Sequence, residues 1–144
     1  MYIVSACLLG ENCKYNGGNN LNDKVKEMLE GHNYISVCPE IVAGFPAPRP
    51  PAEIREGRVY NDKGDDLTEM FLDGAEKTLS EARKKSELLG EEIELAILKA
   101  KSPTCGSSRI YDGSFSHVVV DGNGIFAALL IENGIKVISE EDIE

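Results

Sequence analysis

The chain has 144 residues and carries 25 acidic side chains against 15 basic ones, for a net charge of −10. Hydrophobic residues make up 42% of the sequence and charged residues 28%, which is the balance of an ordinary soluble globular protein. The acidic balance argues against broad electrostatic binding of nucleic acid or anionic lipid, because both need a field of Lys and Arg. We therefore expect one domain over residues 1–144, with a core that needs no disulfides.

The chain shows no apolar run of about 18 residues, the length that predicts a membrane span. Its first residues, Met1 to Ser5, lack the basic region and the long apolar stretch of a signal peptide. These features predict a cytoplasmic protein. In a reducing compartment, cysteines are better candidates for metal binding or redox chemistry than for disulfides. The four cysteines are Cys7, Cys13, Cys38 and Cys105.

Short apolar segments alternate with helical patterns along the chain, which is typical of a parallel α/β sheet. The apolar segments predict strands at Tyr2 to Ala6, Tyr34 to Val37, Ile93 to Leu98 and Lys136 to Ile138. Helical spacing predicts helices at Leu21 to Leu29, from an Asp66 and Glu69 capping box to Gly90, and at Ile125 to Ile131. The segment 110–120 fits either a short hairpin or a loop. We predict a single-domain Rossmann-like, three-layer fold with four to five mostly parallel strands.

The segment Phe45 to Pro51 interrupts this alternation because it holds four of the six prolines. Proline has no amide hydrogen and a fixed φ, so the segment cannot be a helix interior or a central strand. One interpretation is a flexible linker, and the other is a rigid wall beside a pocket. The wall is favoured because Cys38-Pro39-Glu40 lies a few residues before it.

Three of the cysteines lie where predicted strands end. Cys7 follows the first strand, Cys38 ends the second, and Cys105 lies in the loop after the third. Parallel strands joined by right-handed crossovers bring their carboxyl ends to one edge of the sheet, where ligands bind. A buried structural cysteine is the ordinary interpretation of any one of them. Their shared placement predicts that the three thiols lie around one crevice.

The spacing of the cysteines bears on which metal they would bind. The C-x-x-C pairs of structural zinc sites and of thioredoxin-like redox sites are absent. Soft thiolates on separated loops suit an iron–sulfur cluster instead. Glu40 lies two residues after Cys38, and a carboxylate is electrostatically unfavourable beside such a cluster. It therefore indicates either a proton-transfer group or an ion pair with Arg49, and both interpretations stay open.

Five segments occur in a recognisable order: Ser5 to Gly10, Tyr15 to Gly17, Cys38 to Glu40, Pro48 to Ile54 and Lys101 to Gly106. Together they resemble the TudS-type thiouracil desulfidase family, and the resemblance covers nearly the whole chain. It implies an iron–sulfur enzyme whose [4Fe-4S] cluster is held by only three cysteines, here Cys7, Cys38 and Cys105. The fourth iron would stay open to the sulfur of a thiocarbonyl substrate and act as a Lewis acid.

The same resemblance implies the reaction and the groups that assist it. A thiolated pyrimidine such as 4-thiouracil would be hydrolysed, without redox chemistry, to uracil and hydrogen sulfide. Glu40 would move protons, and Ser102 would orient the substrate or a water molecule. The residues expected to contact the substrate are Gly10, Tyr15, Pro48 and Arg49.

Cys13 and Asn16 depart from the family pattern, which fixes no cysteine at the first position and has aspartate at the second. If Cys13 were a fourth ligand, the chain would be an iron–sulfur electron-transfer or binding module with a closed cluster. A third hypothesis is an enzyme that removes or inserts sulfur in tRNA, against which the net charge speaks. The expected partner is therefore a small thiolated base rather than a nucleic acid or a membrane.

Overall fold

The computed structural model describes residues 1–143. The strands are β1 (Tyr2–Ser5), β2 (Tyr34–Val37), β3 (Ala52–Arg55), β4 (Arg58–Asn61), β5 (Leu95–Leu98), β6 (Arg109–Tyr111), β7 (Val119–Asp121) and β8 (Lys136–Ser139). The α-helices are α1 (Asp23–Leu29), α2 (Pro39–Val42), α3 (Thr68–Leu89) and α4 (Ile125–Glu132). Single 3-10 turns cover Ala6–Leu9 and Glu140–Asp142.

The central sheet has four parallel strands in the order β2-β1-β5-β8. Successive residues of β1 are buried on opposite faces, with Ile3 in one apolar cluster and Val4 in another. The Ile3 cluster includes residues of α3 and α4, and the Val4 cluster includes residues of α1. The sheet is therefore covered on both faces, which confirms the predicted Rossmann-like fold.

Two antiparallel hairpins, β3–β4 and β6–β7, stand outside the central sheet. Residues 110–120, for which the sequence fitted either a hairpin or a loop, belong to the second hairpin. The first was not predicted, because its turn lacks the Asn-Gly or Asp-Gly pair that signals a tight hairpin. Its turn residues are Glu56 and Gly57, with φ of 52° and 78°, the positive values that a type I′ turn requires.

The longest helix, α3, begins at Thr68 and ends before Gly90, whose φ of 65° closes it. The expected capping box does not form, because Asp66 is engaged differently. One of its carboxylate oxygens accepts from the Thr68 backbone at 3.0 Å, and the other pairs with the Arg58 guanidinium at 2.6 Å. That guanidinium and Thr68 lower the pKa of Asp66 well below its usual range. No helix within residues 1–143 is long and apolar enough to cross a membrane.

Gly74 fixes the distance between α3 and the short helix α2. A Cβ atom at this position would collide with the carbonyl oxygen of Pro39 and would lie 2.7 Å from the Cβ of Ala43. Only glycine permits this approach without a shift of the backbone. Because α2 carries Glu40 and follows Cys38, the contact determines where both side chains stand relative to the sheet.

Candidate active site

One cavity of about 570 Å³ lies at the carboxyl ends of β1, β2 and β5. We call it the thiol cavity, because its lining includes all four cysteines: Cys7, Cys13, Cys38 and Cys105. The parallel sheet thus brings together side chains that lie as far apart in the chain as residues 7 and 105. Its position is the edge at which open α/β sheets bind their ligands.

Each thiol predicted as a ligand is held by a different local structure. Cys7 lies in the 3-10 turn after β1, and the side-chain amide of Asn20 donates to its sulfur at 3.6 Å. Cys38 is the residue before α2, with Pro39 at the first helical position, where proline is favoured. Cys105 lies in the loop after β5 and is 6% exposed.

Cys13 lies between two of the other cysteines. The Cys38 sulfur is 3.9 Å from the Cys13 carbonyl oxygen, and the Cys13 thiol interacts with the sulfurs of Cys7 and Cys38. The interaction with Cys13 lowers the pKa of Cys7 and of Cys38 from 9.0 to about 7 each, although its single S–H hydrogen can be donated to only one of the two sulfurs at a time. The same interaction raises the pKa of Cys13 itself, so it keeps its proton.

The pKa of Cys105 is raised, because burial penalises the thiolate and because the charges of Cys7, Cys38 and Glu40 repel it. A hydrogen bond with Ser5 acts in the opposite direction. A bond to iron would favour the thiolate, since metal ligation deprotonates a coordinating thiol. Among the three predicted ligands, Cys105 is therefore the one whose ionisation depends most on a bound metal.

The donor set fits an iron–sulfur cluster better than a single ion. Within the part of the chain that the structure describes, no three Cys, His, Asp or Glu side chains could hold one metal ion. A cluster instead bonds each thiolate to a different iron, so its ligands can stand farther apart than those of one ion. Cys7, Cys38 and Cys105 provide three soft sulfurs around one cavity, so each can bond a different iron of a cluster. The pKa of Cys7 and of Cys38 is also lowered, which favours the thiolate.

Glu40 lines the thiol cavity with both carboxylate oxygens engaged. Its Oε1 accepts from Nε of Arg49 at 3.1 Å, and its Oε2 accepts from the Thr104 hydroxyl at 2.9 Å. Arg49 is itself fixed, because its Nη1 donates to the Pro46 carbonyl at 3.1 Å and its side chain is only 6% exposed. The ion pair between Arg49 and Glu40 is thus present, and it orients the carboxylate within the cavity.

Ser102 organises the loop that carries Cys105. Its hydroxyl oxygen accepts from the backbone N–H groups of Thr104 and Cys105, each at 3.0 Å. Neither contact uses the hydroxyl hydrogen, and Ser102 lines the cavity. The residue therefore has a structural role and retains a donor for a bound molecule.

The predicted substrate contacts are divided between the cavity and its surroundings. Tyr15 and Arg49 line the cavity, and so does Pro51, so the proline segment forms a wall rather than a flexible linker. Over residues 1–143, Gly10 and Pro48 do not belong to the lining. Gly10, with φ of 96°, ends the turn that carries Cys7, and Pro48 packs close to Gly17. Gly10 and Pro48 therefore support neighbouring loop residues and do not line the cavity.

Two side chains that touch predicted site residues were not identified from the sequence. The Thr104 hydroxyl donates to Glu40. The sequence feature that could have indicated this residue is its position directly before Cys105. Asn20 donates to Cys7, and no sequence pattern indicated a role for it. The contacts span 64 and 13 positions in sequence and depend on how the loops pack, so a pattern along the chain does not reveal them.

Comparison with known proteins places the chain among α/β desulfidases. It superimposes on the solved structure of the [4Fe-4S]-dependent thiouracil desulfidase TudS with a TM-score of 0.84 and 39% identity, covering 97% of this chain and 90% of that one. YbbK of Bacillus subtilis (strain 168) is 37% identical over 153 residues, covering 99% of this chain and 97% of its relative. The model of the 2-thiouracil desulfurase family matches residues 2–142.

The chain therefore belongs to the 2-thiouracil desulfurase family. This confirms the resemblance drawn from the five sequence segments, and the protein is an enzyme of the desulfidase class.

Proposed function

We propose that the protein hydrolyses the C–S bond of a small thiolated pyrimidine such as 4-thiouracil, giving uracil and hydrogen sulfide. The observation that carries this proposal is a carboxylate, Glu40, fixed by two hydrogen bonds in the same cavity as Cys7, Cys38 and Cys105. The TudS structure, described as [4Fe-4S]-dependent, supports the same cofactor here. The net charge of −10 favours a free base or nucleoside over tRNA.

Cys7, Cys38 and Cys105 would hold the cluster, while Cys13 interacts with two of them and lowers their pKa. When bound, a [4Fe-4S] cluster with three protein ligands supplies an iron with an open position, a soft Lewis acid that polarises a thiocarbonyl. Cys7 and Cys38 are prepared for ligation because their pKa values are lowered towards neutrality.

Glu40 moves the protons of the reaction. It accepts a proton from the water molecule that attacks the thiocarbonyl carbon, and a new C–O bond forms while the C–S bond breaks. The two hydrogens of that water end on the departing sulfur, one of them delivered through Glu40. Atoms balance without any electron transfer, because one thiobase and one water give one uracil and one hydrogen sulfide.

Arg49, Thr104 and Ser102 act as orienting groups. Arg49 and Thr104 each hold one oxygen of Glu40, so the carboxylate keeps one direction in the cavity while it exchanges protons. Ser102 uses its remaining donor to bind the substrate or the attacking water. Tyr15 provides part of the wall against which the base binds.

The proposal is tested on protein purified and reconstituted without oxygen, with bound iron and sulfide quantified before use. Incubation with 4-thiouracil is expected to release sulfide and uracil in equal amounts, with no added reductant. Protein stripped of iron by a chelator serves as the matched control and should release none. Iron-loaded protein that releases no sulfide from 4-thiouracil, 2-thiouracil or their nucleosides would contradict the proposal.

The contact of Cys13 with Cys7 and Cys38 also supports a second candidate, an electron-transfer or binding module in which all four cysteines ligate a cluster. Cys13→Ser separates the two, because serine keeps a hydrogen-bond donor but is a poor ligand for iron. We expect this variant to keep its iron and to change turnover by less than about tenfold, equivalent to about 1.4 kcal/mol in the barrier. Loss of the cluster from Cys13→Ser would favour the four-ligand module.

A further inference from the structure

The β6–β7 hairpin contributes an aromatic surface to the thiol cavity that the proposed mechanism does not use. Tyr111, Phe115 and His117 line the cavity together with the cysteines. The rings of Tyr111 and His117 meet edge to face, with centroids 6.0 Å apart and an interplanar angle of 81°. Phe115 is half-buried and belongs to neither apolar cluster that covers the central sheet.

The backbone of this segment is strained at Phe115. Its φ of 58° lies in the left-handed region that bulky side chains rarely adopt, whereas His117, with φ of 61°, is of a residue type found there more often. Such strain persists only where surrounding contacts enforce it, and it concentrates at sites that bind ligands. A hairpin tip free to relax would not keep Phe115 in this conformation.

The contact that enforces the conformation comes from Glu53 on β3. Its Oε1 accepts from the backbone N–H groups of Gly113 and Phe115, each at 3.1 Å, and the residue is 9% exposed. A carboxylate shared by two N–H donors makes stronger hydrogen bonds than a neutral acceptor. Gly113 permits the approach, because a Cβ there would lie 2.9 Å from the carbonyl oxygen of Ile54.

We propose that Phe115, with Tyr111 and His117 beside it, is the surface on which the pyrimidine ring of the substrate stacks, and that Glu53 is its positioning residue. A thiolated pyrimidine is flat and has a π-face, and aromatic side chains bind nucleobases by stacking on that face. The inference rests on the proposed function, since it names how the same cavity recognises its substrate. It makes the enzyme selective for aromatic thiobases over open-chain thiocarbonyl compounds.

The test measures binding of uracil, the product, to the iron-loaded enzyme by anaerobic calorimetry. Phe115→Leu keeps an apolar side chain without the π-face, and we expect it to weaken uracil binding about 5- to 100-fold. The KM for 4-thiouracil should rise by a similar factor with little change in kcat. Phe115→Tyr, which keeps the ring, should bind uracil as the wild type does. Leu88→Ala, at a position 89% exposed on α3, is the control.

Selectivity gives a second readout. The wild-type enzyme should release sulfide from 4-thiouracil far faster than from thioacetamide, and Phe115→Leu should reduce that ratio by lowering only the rate with thiouracil. Glu53→Gln keeps the side-chain shape and one acceptor oxygen without the charge, so its effect should have the same direction and be smaller. Iron content and melting temperature of both variants are measured to verify that they fold and hold the cluster.

Uracil binding by Phe115→Leu that equals the wild type would overturn the stacking surface, whether or not the enzyme is a desulfidase. Glu53→Leu removes both acceptor oxygens and should weaken uracil binding more than Glu53→Gln does. Wild-type binding by Glu53→Leu, in protein that folds and holds iron, would overturn the positioning role. If wild-type protein binds uracil but releases no sulfide, the proposed function fails while the stacking surface stands.

Discussion

Glu40→Gln is expected to lower sulfide release from 4-thiouracil about 10²- to 10⁴-fold while the iron and sulfide content of the protein stays unchanged. Glutamine can occupy the same space beside Arg49 and Thr104, but it cannot accept a proton from water. Positioned acid–base groups contribute about 10²- to 10⁴-fold to a rate, and we expect a loss in that range. The measurement is sulfide release per cluster, under anaerobic conditions, at saturating substrate.

Two further substitutions show that the loss belongs to this carboxylate. Glu76→Gln changes an exposed acid on α3 and should leave turnover unaltered. Thr104→Val removes one of the two hydrogen bonds to Glu40 and should lower kcat less than Glu40→Gln does, with the cluster retained. A Glu40→Gln enzyme as active as the wild type would show that protons move through another group.

Cys105→Ser is expected to lose the cluster and, with it, all sulfide release. Serine has nearly the same size, so the buried loop can still fold, but its hydroxyl is a hard and weakly acidic ligand for iron. Loss of even an outer-shell contact weakens metal binding about 10- to 100-fold, and loss of a ligand should weaken it more. Iron and sulfide analysis after anaerobic reconstitution measures the effect.

The matched control for Cys105→Ser is the same exchange at Cys13, which lies in the same cavity but is expected to be dispensable for the cluster. A circular dichroism spectrum verifies that both variants fold. Full iron content in Cys105→Ser together with loss in Cys13→Ser would mean that Cys13 replaces Cys105 in the ligand set. Both cysteines being required would favour the four-ligand module.

Much of the fold was predictable because the local patterns were strong. The strand Tyr34–Val37 occurs as predicted, and α3 departs from its predicted bounds by one or two residues. The hairpin β3–β4 was missed because Glu56-Gly57 is not a typical turn pair, and its positive φ values are sustained by the folded surroundings. The capping box at Asp66 failed because the N-cap of α3 is Leu67, and Asp66 accepts instead from the backbone N–H and the hydroxyl of Thr68.

The site was predictable in its placement and only partly in its contacts. Strand ends on one edge of a parallel sheet have to converge, so the chain order alone predicts Cys7, Cys38 and Cys105 around one crevice. The hydrogen bond from Thr104 to Glu40 and the contact of Glu53 with the tip of the β6–β7 hairpin span 64 and 60 or more positions in sequence. Such contacts depend on how loops pack, and periodicity carries no information about that.

Composition and order of residues by themselves determined three things: an acidic chain unsuited to polyanions, an alternating α/β pattern, and three cysteines at strand ends with a fourth apart. The tertiary structure decided the surroundings of that fourth thiol. Cys13 lies against Cys7 and Cys38, keeps its proton and lowers the pKa of both. The physical reason is that hydrogen bonds and pKa values depend on distances between side chains, which exist only after the loops have folded around the cavity.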